Sequence, residues 1–213
     1  MKKQIYTSAE EVIEAVAAGR MVIVVDDEAR ENEGDLICAA ESITPEQVNF
    51  MATHGKGLIC VAMESERLAQ LGLRRMVADD INHSPFGTAF MESVDAAADI
   101  TTGISATDRA ITIKLLVDTA VGAEGFVKPG HIFPLEADAR GVLGRPGHTE
   151  AAVDLSKAAG CFPAGVICEI LNDDGSMARL SDLVPYAEKH TIPMCRVADL
   201  ISYRQQQESV PPA

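Results

Sequence analysis

Tryptophan is absent from this chain of 213 residues, and aromatic residues make up only 4% of it. Proteins that bind single-stranded nucleic acid stack its bases on aromatic side chains, and this chain offers few of them. Basic residues are also scarce, because 18 Lys and Arg stand against 32 Asp and Glu, for a net charge of −14. This charge argues against nucleic acid or an anionic membrane surface as a partner, although it permits a local basic pocket for a small anion.

Cysteine pairs and long apolar runs are missing as well. The five cysteines are scattered without a C-x-x-C pair, which argues against a disulfide framework or a structural zinc site and favours a reducing compartment. No apolar run is long enough to cross a bilayer, and no apolar segment typical of a signal peptide follows the first residues. We therefore expect a cytoplasmic protein without a membrane partner.

Apolar runs typical of strands alternate with helix signals along the chain, and 47% of the residues are hydrophobic, enough for a sizeable core. Strands are predicted at 21–25, 36–40, 58–63, 88–94, 131–137, 165–171 and 192–196. Helices are predicted after Ser8, Thr44 and Met63, and at 107–121, 148–159, 181–190 and 198–207, with loops at 79–87 and 122–130. This order predicts one α+β domain over residues 1–213, a mixed-sheet α/β sandwich, with frayed termini at 1–6 and 208–213.

Residues 26–35 form a strongly acidic segment, with six carboxylates and one guanidinium in ten residues. Such a run is usually a solvated surface loop. Here two predicted strands flank it closely, and Gly34 suits a tight bend. Like charges held this close repel, so an ordered loop needs a cation or many hydrogen-bond donors. We interpret the segment as a loop that binds a metal and a polyol, and we expect it to be mobile without them.

Residues 145–150 lie where a glycine-rich loop meets a predicted helix start. This position suits a phosphate, because it offers free backbone N–H groups and the positive end of the helix dipole. The Thr149 hydroxyl and the Arg145 guanidinium add further hydrogen-bond donors. His148 adds a metal ligand or a proton carrier. Taken alone, the segment is explained equally well as an ordinary helix cap. Because Pro146 has no N–H group, backbone donors to a phosphate must begin at Gly147.

Other polar residues have less definite interpretations. His131 enters a predicted strand after a turn, where histidine is more often structural than catalytic. Glu169 lies within an apolar run, so it either faces solvent or sits in a site that raises its pKa. Cys60 is expected to be a small core residue, and the hydroxyl groups of 101–107 are expected to cap a helix. Surface or capping positions are expected for His54, His83 and His190.

The acidic segment occurs together with Thr102-Gly103-Ile104-Ser105, with the motif at 129–135 and with the motif at 145–150, in that order. In combination they resemble the 3,4-dihydroxy-2-butanone 4-phosphate synthase family of riboflavin biosynthesis, from about Ser8 to Arg204. The resemblance implies conversion of D-ribulose 5-phosphate to L-3,4-dihydroxy-2-butanone 4-phosphate and formate, with two Mg²⁺ or Mn²⁺ ions per site. It also implies a homodimer with active sites at the subunit interface. The GTP cyclohydrolase II domain fused to some relatives does not follow, so the monofunctional form is expected.

The resemblance further implies roles for the matching residues. Glu31 and His148 would bind the metal pair, with water and substrate oxygens completing its coordination. His131 and Glu169 would be catalytic, His131 being supplied by the other subunit. The substrate-binding residues would be Arg30, Glu31, Glu33, Asp35, Arg145, Pro146, Gly147, His148, Thr149 and Glu169.

Two other functions fit the same residues. A metal-dependent sugar-phosphate isomerase or aldolase would use the same enediol chemistry and the same phosphate-binding residues. An isomerase, however, would release no formate. A non-catalytic sensor of a sugar phosphate or cation would not need His131 and Glu169. Phe86 stands where the family pattern has Tyr, and the missing hydroxyl would slightly change the polar pocket.

Overall fold

The computed structural model describes residues 5–209. Its strands are β1 (Val22–Val25), β2 (Gly34–Ala39), β3 (Cys60–Met63), β4 (Ala89–Phe90), β5 (Val94–Ala96), β6 (Phe126–Glu136), β7 (Ala164–Glu169) and β8 (Met194–Arg196). Its α-helices are α1 (Ala9–Ala17), α2 (Pro45–Phe50), α3 (Ser65–Gln70), α4 (Ala106–Val117), α5 (His148–Ala158), α6 (Leu180–His190) and α7 (Val197–Ser209). None of the described helices is long and apolar enough to span a membrane.

Local signals explain where several helices begin. Ser8 and Thr44 each form a capping box, and Pro45 occupies the first turn of α2. The Ser105 side chain accepts a hydrogen bond from the backbone N–H of Asp108 and caps α4. These starts confirm the predictions, because each depends on hydrogen bonds between residues only three positions apart.

One mixed sheet joins the strands in the order β4-β6-β3-β7-β2-β1-β8, with β5 paired to β6. The β1–β8 and β3–β6 pairs are parallel, whereas the other pairs are antiparallel. Strands from the two ends of the sequence are therefore neighbours at β1 and β8. The predicted mixed sheet is confirmed.

Helices cover both faces of this sheet. Leu36 and Val166 point to the face covered by α2, α4 and α6. Ile37 and Ile167 point to the face covered by α1, α5 and α7. Because side chains alternate along a strand, adjacent residues contribute to different layers, which produces the predicted sandwich.

Three predicted boundaries between 88 and 130 are wrong. The strand expected at 88–94 is two short strands, β4 and β5, and α4 ends at Val117 rather than near Val121. The loop expected at 122–130 gives way at Phe126 to β6, which continues through Pro129 and Gly130. Pairing with β5 overrides the turn preference of Pro-Gly, since tertiary context commonly outweighs local strand propensity.

One further expectation needs correction. Gly34 forms no tight bend but lies in β2, where a Cβ would come within 2.5 Å of Leu183 Cδ1, so a larger residue would require the Leu183 side chain to shift. At the termini, the Arg196 guanidinium lies 4.9 Å from the Tyr6 ring and α7 extends to Ser209. The fraying expected at 1–6 and 208–213 stays a prediction. The rest of the predicted frayed ends, 1–4 and 210–213, lies outside the described residues.

Candidate active site

A cavity of about 170 Å³ opens on the α5 face of the sheet, between the acidic loop and the start of α5. Its floor comes from β2, β3, β6 and β7. Its lining consists of Arg30, Glu31, Glu33, Asp35, Cys60, Thr88, Phe90, Leu135, Arg145, His148, Thr149, Ile167 and Glu169. The fold thus brings the acidic loop and the 145–150 motif, more than a hundred residues apart in sequence, to one place.

Asp35 and Glu169 rise from the cavity floor on β2 and β7. Glu169 lies in the cavity rather than in open solvent, and its Oε2 accepts a hydrogen bond from the backbone N–H of Leu58 at 2.8 Å. Asp35 is buried, and its Oδ1 has no hydrogen-bond partner. Burial raises the pKa of Asp35 to about 7; the nearby Glu169 acts in the same direction and His148 opposes it.

Asp26 organises the acidic loop. Its buried carboxylate accepts hydrogen bonds from the backbone N–H groups of Glu31 at 3.1 Å and Glu33 at 2.9 Å. Arg30 Nη1 donates to the same carboxylate at 2.8 Å. The loop therefore supplies hydrogen-bond donors to one of its own carboxylates, that of Asp26. Sequence reasoning missed this role, for which the only local signal is the position of Asp26 directly after a buried strand.

A carboxylate–imidazole group suited to a metal lies beside this loop. Ligand atoms of Asp26, Glu31 and His148 lie within 4.8 Å of one another, the one such group of three found in residues 5–209. His148 Nδ1 is 3.4 Å from Glu31 Oε2 and 3.8 Å from Asp35 Oδ1. The buried His148 Nε2 has no hydrogen-bond partner. The unpartnered atoms of His148 and Asp35 fit a divalent cation, whereas Asp26 already has its donors.

The charges of this group depend on one another. Burial lowers the pKa of His148, but Asp35, Glu31 and Asp26 outweigh burial and raise it to about 9. Burial raises the pKa of Glu31, but contacts with His148 and Arg30 outweigh burial and lower it to about 2. The cation-free group is thus stabilised by a protonated imidazole, as expected where several carboxylates converge.

Each nitrogen of the Arg145 guanidinium, at the cavity wall, donates one hydrogen bond within the protein, which leaves two of its five N–H groups for a ligand. Nη1 donates to Glu150 Oε2 at 2.7 Å, Nη2 to Thr88 Oγ1 at 3.2 Å, and Nε to the Phe86 carbonyl oxygen at 3.2 Å. Glu150 is only 1% exposed, so its carboxylate holds the Arg145 guanidinium in a fixed position. Sequence reasoning identified Arg145 but missed Glu150 and Thr88 as its partners.

Gly147 precedes α5 and provides no side-chain cap to it. A Cβ at this position would lie 2.6 Å from Arg145 Nη1 and 2.8 Å from Arg30 Nη2, so glycine allows the two guanidinium groups to converge. Thr149, in the first turn of α5, lines the cavity beside them. Two guanidinium groups at a helix N-terminus form an arrangement that suits a phosphate.

Two predicted site residues lie away from this cavity. Pro146 lines a neighbouring cavity of about 560 Å³ behind the acidic loop. His131 lies on β6 with 43% of its side chain exposed and with Nδ1 2.6 Å from Asp95 Oδ2. Within one chain, the fold places His131 and Glu169 on the same sheet without placing them in one cavity.

The remaining polar predictions have mixed outcomes. Cys60 is a core residue, as predicted, and also lines the cavity. His54 and His83 are exposed, as predicted, and His190 is partly exposed at the end of α6, where its ring lies 5.1 Å from His54, 5.1 Å from Phe50 and 4.6 Å from Tyr186. These ring contacts were not visible from the local sequence.

Comparison with known proteins agrees with this geometry. Residues 10–203 match the family model of 3,4-dihydroxy-2-butanone 4-phosphate synthase. The Agrobacterium fabrum protein of that name is 56% identical over 194 residues, which cover 91% of this chain and 90% of that protein. The chain therefore belongs to the 3,4-dihydroxy-2-butanone 4-phosphate synthase family.

Other relatives are longer. The riboflavin biosynthesis protein RibBA of Aquifex aeolicus is 53% identical over 207 residues, covering 96% of this chain but 50% of that protein. This chain thus spans about half the length of some of the relatives it matches.

Solved structures confirm the fold. A 3,4-dihydroxy-2-butanone 4-phosphate synthase in complex with two magnesium ions matches with a TM-score of 0.91 and 42% identity, over 95% of this chain and 99% of that one. RibBX, a two-domain synthase from A. baumannii, matches with a TM-score of 0.88 and 48% identity, over 93% of this chain and 58% of that one.

Proposed function

We propose that this chain converts D-ribulose 5-phosphate to L-3,4-dihydroxy-2-butanone 4-phosphate and formate, a lyase reaction of riboflavin biosynthesis. The observation that carries the proposal is the single cavity in which the acidic loop, His148 and Arg145 meet. Such a cavity has an anion site at one side and a cation-binding group at the other, which matches a phosphorylated polyol. Membership of the family supports this substrate.

The two sides of the cavity bind different parts of the substrate. Arg145, Gly147 and Thr149 hold the phosphate at the start of α5, while the adjoining Pro146 contributes only shape because it lacks an N–H group. Arg30 and Asp35 hold the sugar hydroxyls, and Glu33 completes the acidic wall. We propose that in this orientation the carbons between phosphate and ketone face Glu169.

We propose Mg²⁺ or Mn²⁺ as the cofactor, with two ions per site held by Glu31 and His148. The oxygen ligands suit Mg²⁺, whereas an imidazole ligand is more usual for Mn²⁺. When bound, such ions polarise the ketone and stabilise negative charge beside it. The related structure with two magnesium ions supports the number. A manganese titration followed by electron paramagnetic resonance tests it, and saturation at one ion per chain would reject the pair.

The protein's own groups must move protons at several carbons of one substrate. A base removes the C3 proton next to the ketone to give the enediol, an acid assists loss of the C1 hydroxyl as water so that C1 becomes the methyl group of the product, and water addition after the skeletal shift releases C4 as formate. Glu33, Asp35 and Glu169 all line the cavity, so several carboxyl groups are available for these proton transfers. His131 and Glu169 are the proposed catalytic pair.

We propose a homodimer in which His131 of one chain completes the site of the other. The exposure of His131 and its absence from the residues that line the cavity support this arrangement. Mixing two inactive variants, H131A and E169Q, tests it, because a mixed dimer then contains one intact site. Recovery of activity is expected, and its absence despite subunit exchange would contradict the shared site.

The same chain is proposed to act as one domain over residues 1–213, because β1 and β8 pair across the sequence. A single cooperative unfolding transition is the expected result.

All five cysteines are free, which supports a cytoplasmic location. Finding these thiols oxidised in protein taken directly from cells would contradict that location.

Carbon NMR of the purified protein with ¹³C-labelled ribulose 5-phosphate and Mg²⁺ tests the activity, with a chelated sample as the control. Formate and a four-carbon ketose phosphate are expected, and both should disappear on chelation. An isomerised pentose without formate would indicate an isomerase, and unchanged substrate would indicate a binding protein.

A further inference from the structure

Asp95, on β5, holds His131, on β6, at two points. Asp95 Oδ1 accepts a hydrogen bond from the backbone N–H of His131 at 2.9 Å, and Oδ2 lies 2.6 Å from the ring Nδ1. The Asp95 side chain is 8% exposed, whereas the His131 side chain is 43% exposed. One buried carboxylate therefore fixes both the main chain and the ring of an otherwise accessible histidine.

The backbone geometry around Asp95 and His131 brings the two side chains into contact. The β5–β6 register shifts between Val94 and Asp95, and such a bulge re-aims the side chains that follow it. Gly130 approaches the Val94 backbone so closely that any Cβ would overlap it, and its N–H donates to Ser93 Oγ at 3.2 Å. Only glycine at this position allows His131 to reach Asp95.

The loop before α4 closes over the pair. Gly103 has φ +89°, and a Cβ there would overlap the Asp95 carboxylate and lie 2.7 Å from His131 Nδ1. Asp108 fixes this loop by accepting hydrogen bonds from Gly103 N at 3.1 Å and from Thr101 Oγ1 at 2.7 Å. The glycine of the Thr-Gly-Ile-Ser motif thus leaves room for the Asp95–His131 contact and shields it from one side.

We propose that Asp95 is the positioning residue for His131. An ionised carboxylate only accepts hydrogen bonds, so it keeps the proton of the neutral ring on Nδ1 and leaves the Nε2 lone pair free. His131 then presents a base of defined tautomer and orientation to the substrate. This inference rests on the proposed function, because it assumes that His131 takes part in the reaction.

Asp95→Asn tests the proposal with little change in shape, and the exposed Asp99→Asn is the matched control. The amide can reverse the tautomer, so we expect kcat to fall about 10²- to 10⁴-fold with KM little changed. An unchanged kcat, or a loss confined to KM, would overturn the proposal.

A double-variant comparison separates positioning from a general structural role. If Asp95 acts only through His131, adding Asp95→Asn to His131→Gln should lower activity no further. A second loss of similar size in the double variant would overturn the proposal, and it would do so even if Asp95→Asn reduced folding yield.

Nitrogen NMR of the imidazole ring provides a test that needs no turnover. The neutral ring of His131, assigned by its loss in His131→Gln, should carry its proton on Nδ1 in the unaltered protein and lose that preference in Asp95→Asn. A proton on Nε2 in the unaltered protein would overturn the positioning role while leaving the proposed function intact. Conversely, absence of formate from the unaltered protein would overturn the proposed function whatever the tautomer.

Discussion

Asp35 and Glu169 lie directly opposite each other on the neighbouring antiparallel strands β2 and β7, with both side chains on the cavity floor. Like charges at facing positions of a sheet are destabilising, and one of these carboxylates is buried. A sheet selected only for stability would place apolar residues here. The pair indicates that stability is given up for a site that needs two acids close together.

Asp35→Asn is therefore expected to stabilise the cation-free protein while abolishing formate release. The pKa of Asp35 is raised to about 7, so its ionisation destabilises the fold progressively as pH rises from about 4 to 7. The variant should unfold roughly 5 °C higher above pH 7 and show no advantage below pH 4. Thermal unfolding across this pH range, with Asp99→Asn as the control, measures the difference; an equal advantage at all pH values would contradict the explanation.

Glu169→Gln should retain sugar-phosphate binding but lose about 10²-fold or more in kcat. The amide oxygen can still accept the Leu58 N–H bond, so the local structure should persist. Calorimetry for binding and formate assays for turnover separate the two effects, with the exposed Glu124→Gln as the control. Undiminished turnover would remove Glu169 from the proposed catalytic pair.

His148→Ala should weaken Mn²⁺ binding by about a hundredfold, because it removes a buried nitrogen ligand and leaves Glu31 paired only with Arg30. The exposed His54→Ala is a suitable control, since it also removes an imidazole but lies away from the cavity. Calorimetric titration measures both affinities. Equal affinity in the two variants would reject His148 as a ligand.

Metal affinity should also depend on pH through His148. Its pKa is raised to about 9 without a cation, so at neutral pH the ring must lose a proton before it can bind a metal. Apparent affinity should rise about tenfold per pH unit between 7 and 9 and then level off. Titrations in two buffers of different ionisation enthalpy should reveal the released proton, and the absence of any buffer dependence would contradict this coupling.

The acidic loop should exchange its amide hydrogens faster than β2 does when no ligand is present, because Asp27 and Glu28 are exposed. Metal with ribulose 5-phosphate should slow this exchange. Within the loop, the N–H groups of Glu31 and Glu33 that donate to Asp26 should be the more protected, and Asp26→Ala should remove that difference. Equal exchange with and without ligands would show that the loop is ordered on its own.

Local patterns in the sequence were sufficient for most of the architecture. The capping boxes at Ser8 and Thr44, the buried runs of β1, β2 and β7, and the boundaries of α5 were all predictable, because they depend on residues a few positions apart. Predicted boundaries were wrong where pairing between distant segments decides the structure. In β6, pairing with β5 allows the strand to continue through Pro129 and Gly130. The tight bend predicted at Gly34 was wrong for a related reason, since Gly34 lies in β2 against Leu183, which is distant in sequence.

The sequence by itself determined which chemical groups this protein offers: the acidic run, the 145–150 motif, His131 and Glu169, and through their combination the family. Only the tertiary structure decided which groups meet. Glu150 behind Arg145 and Asp95 behind His131 carry no local signal, and Asp26 as the centre of its loop carries only its position after a buried strand, because each role is defined by a hydrogen bond formed in the folded chain. Residue types set the possible reactions, whereas strand register and loop closure set the distances at which those reactions can occur.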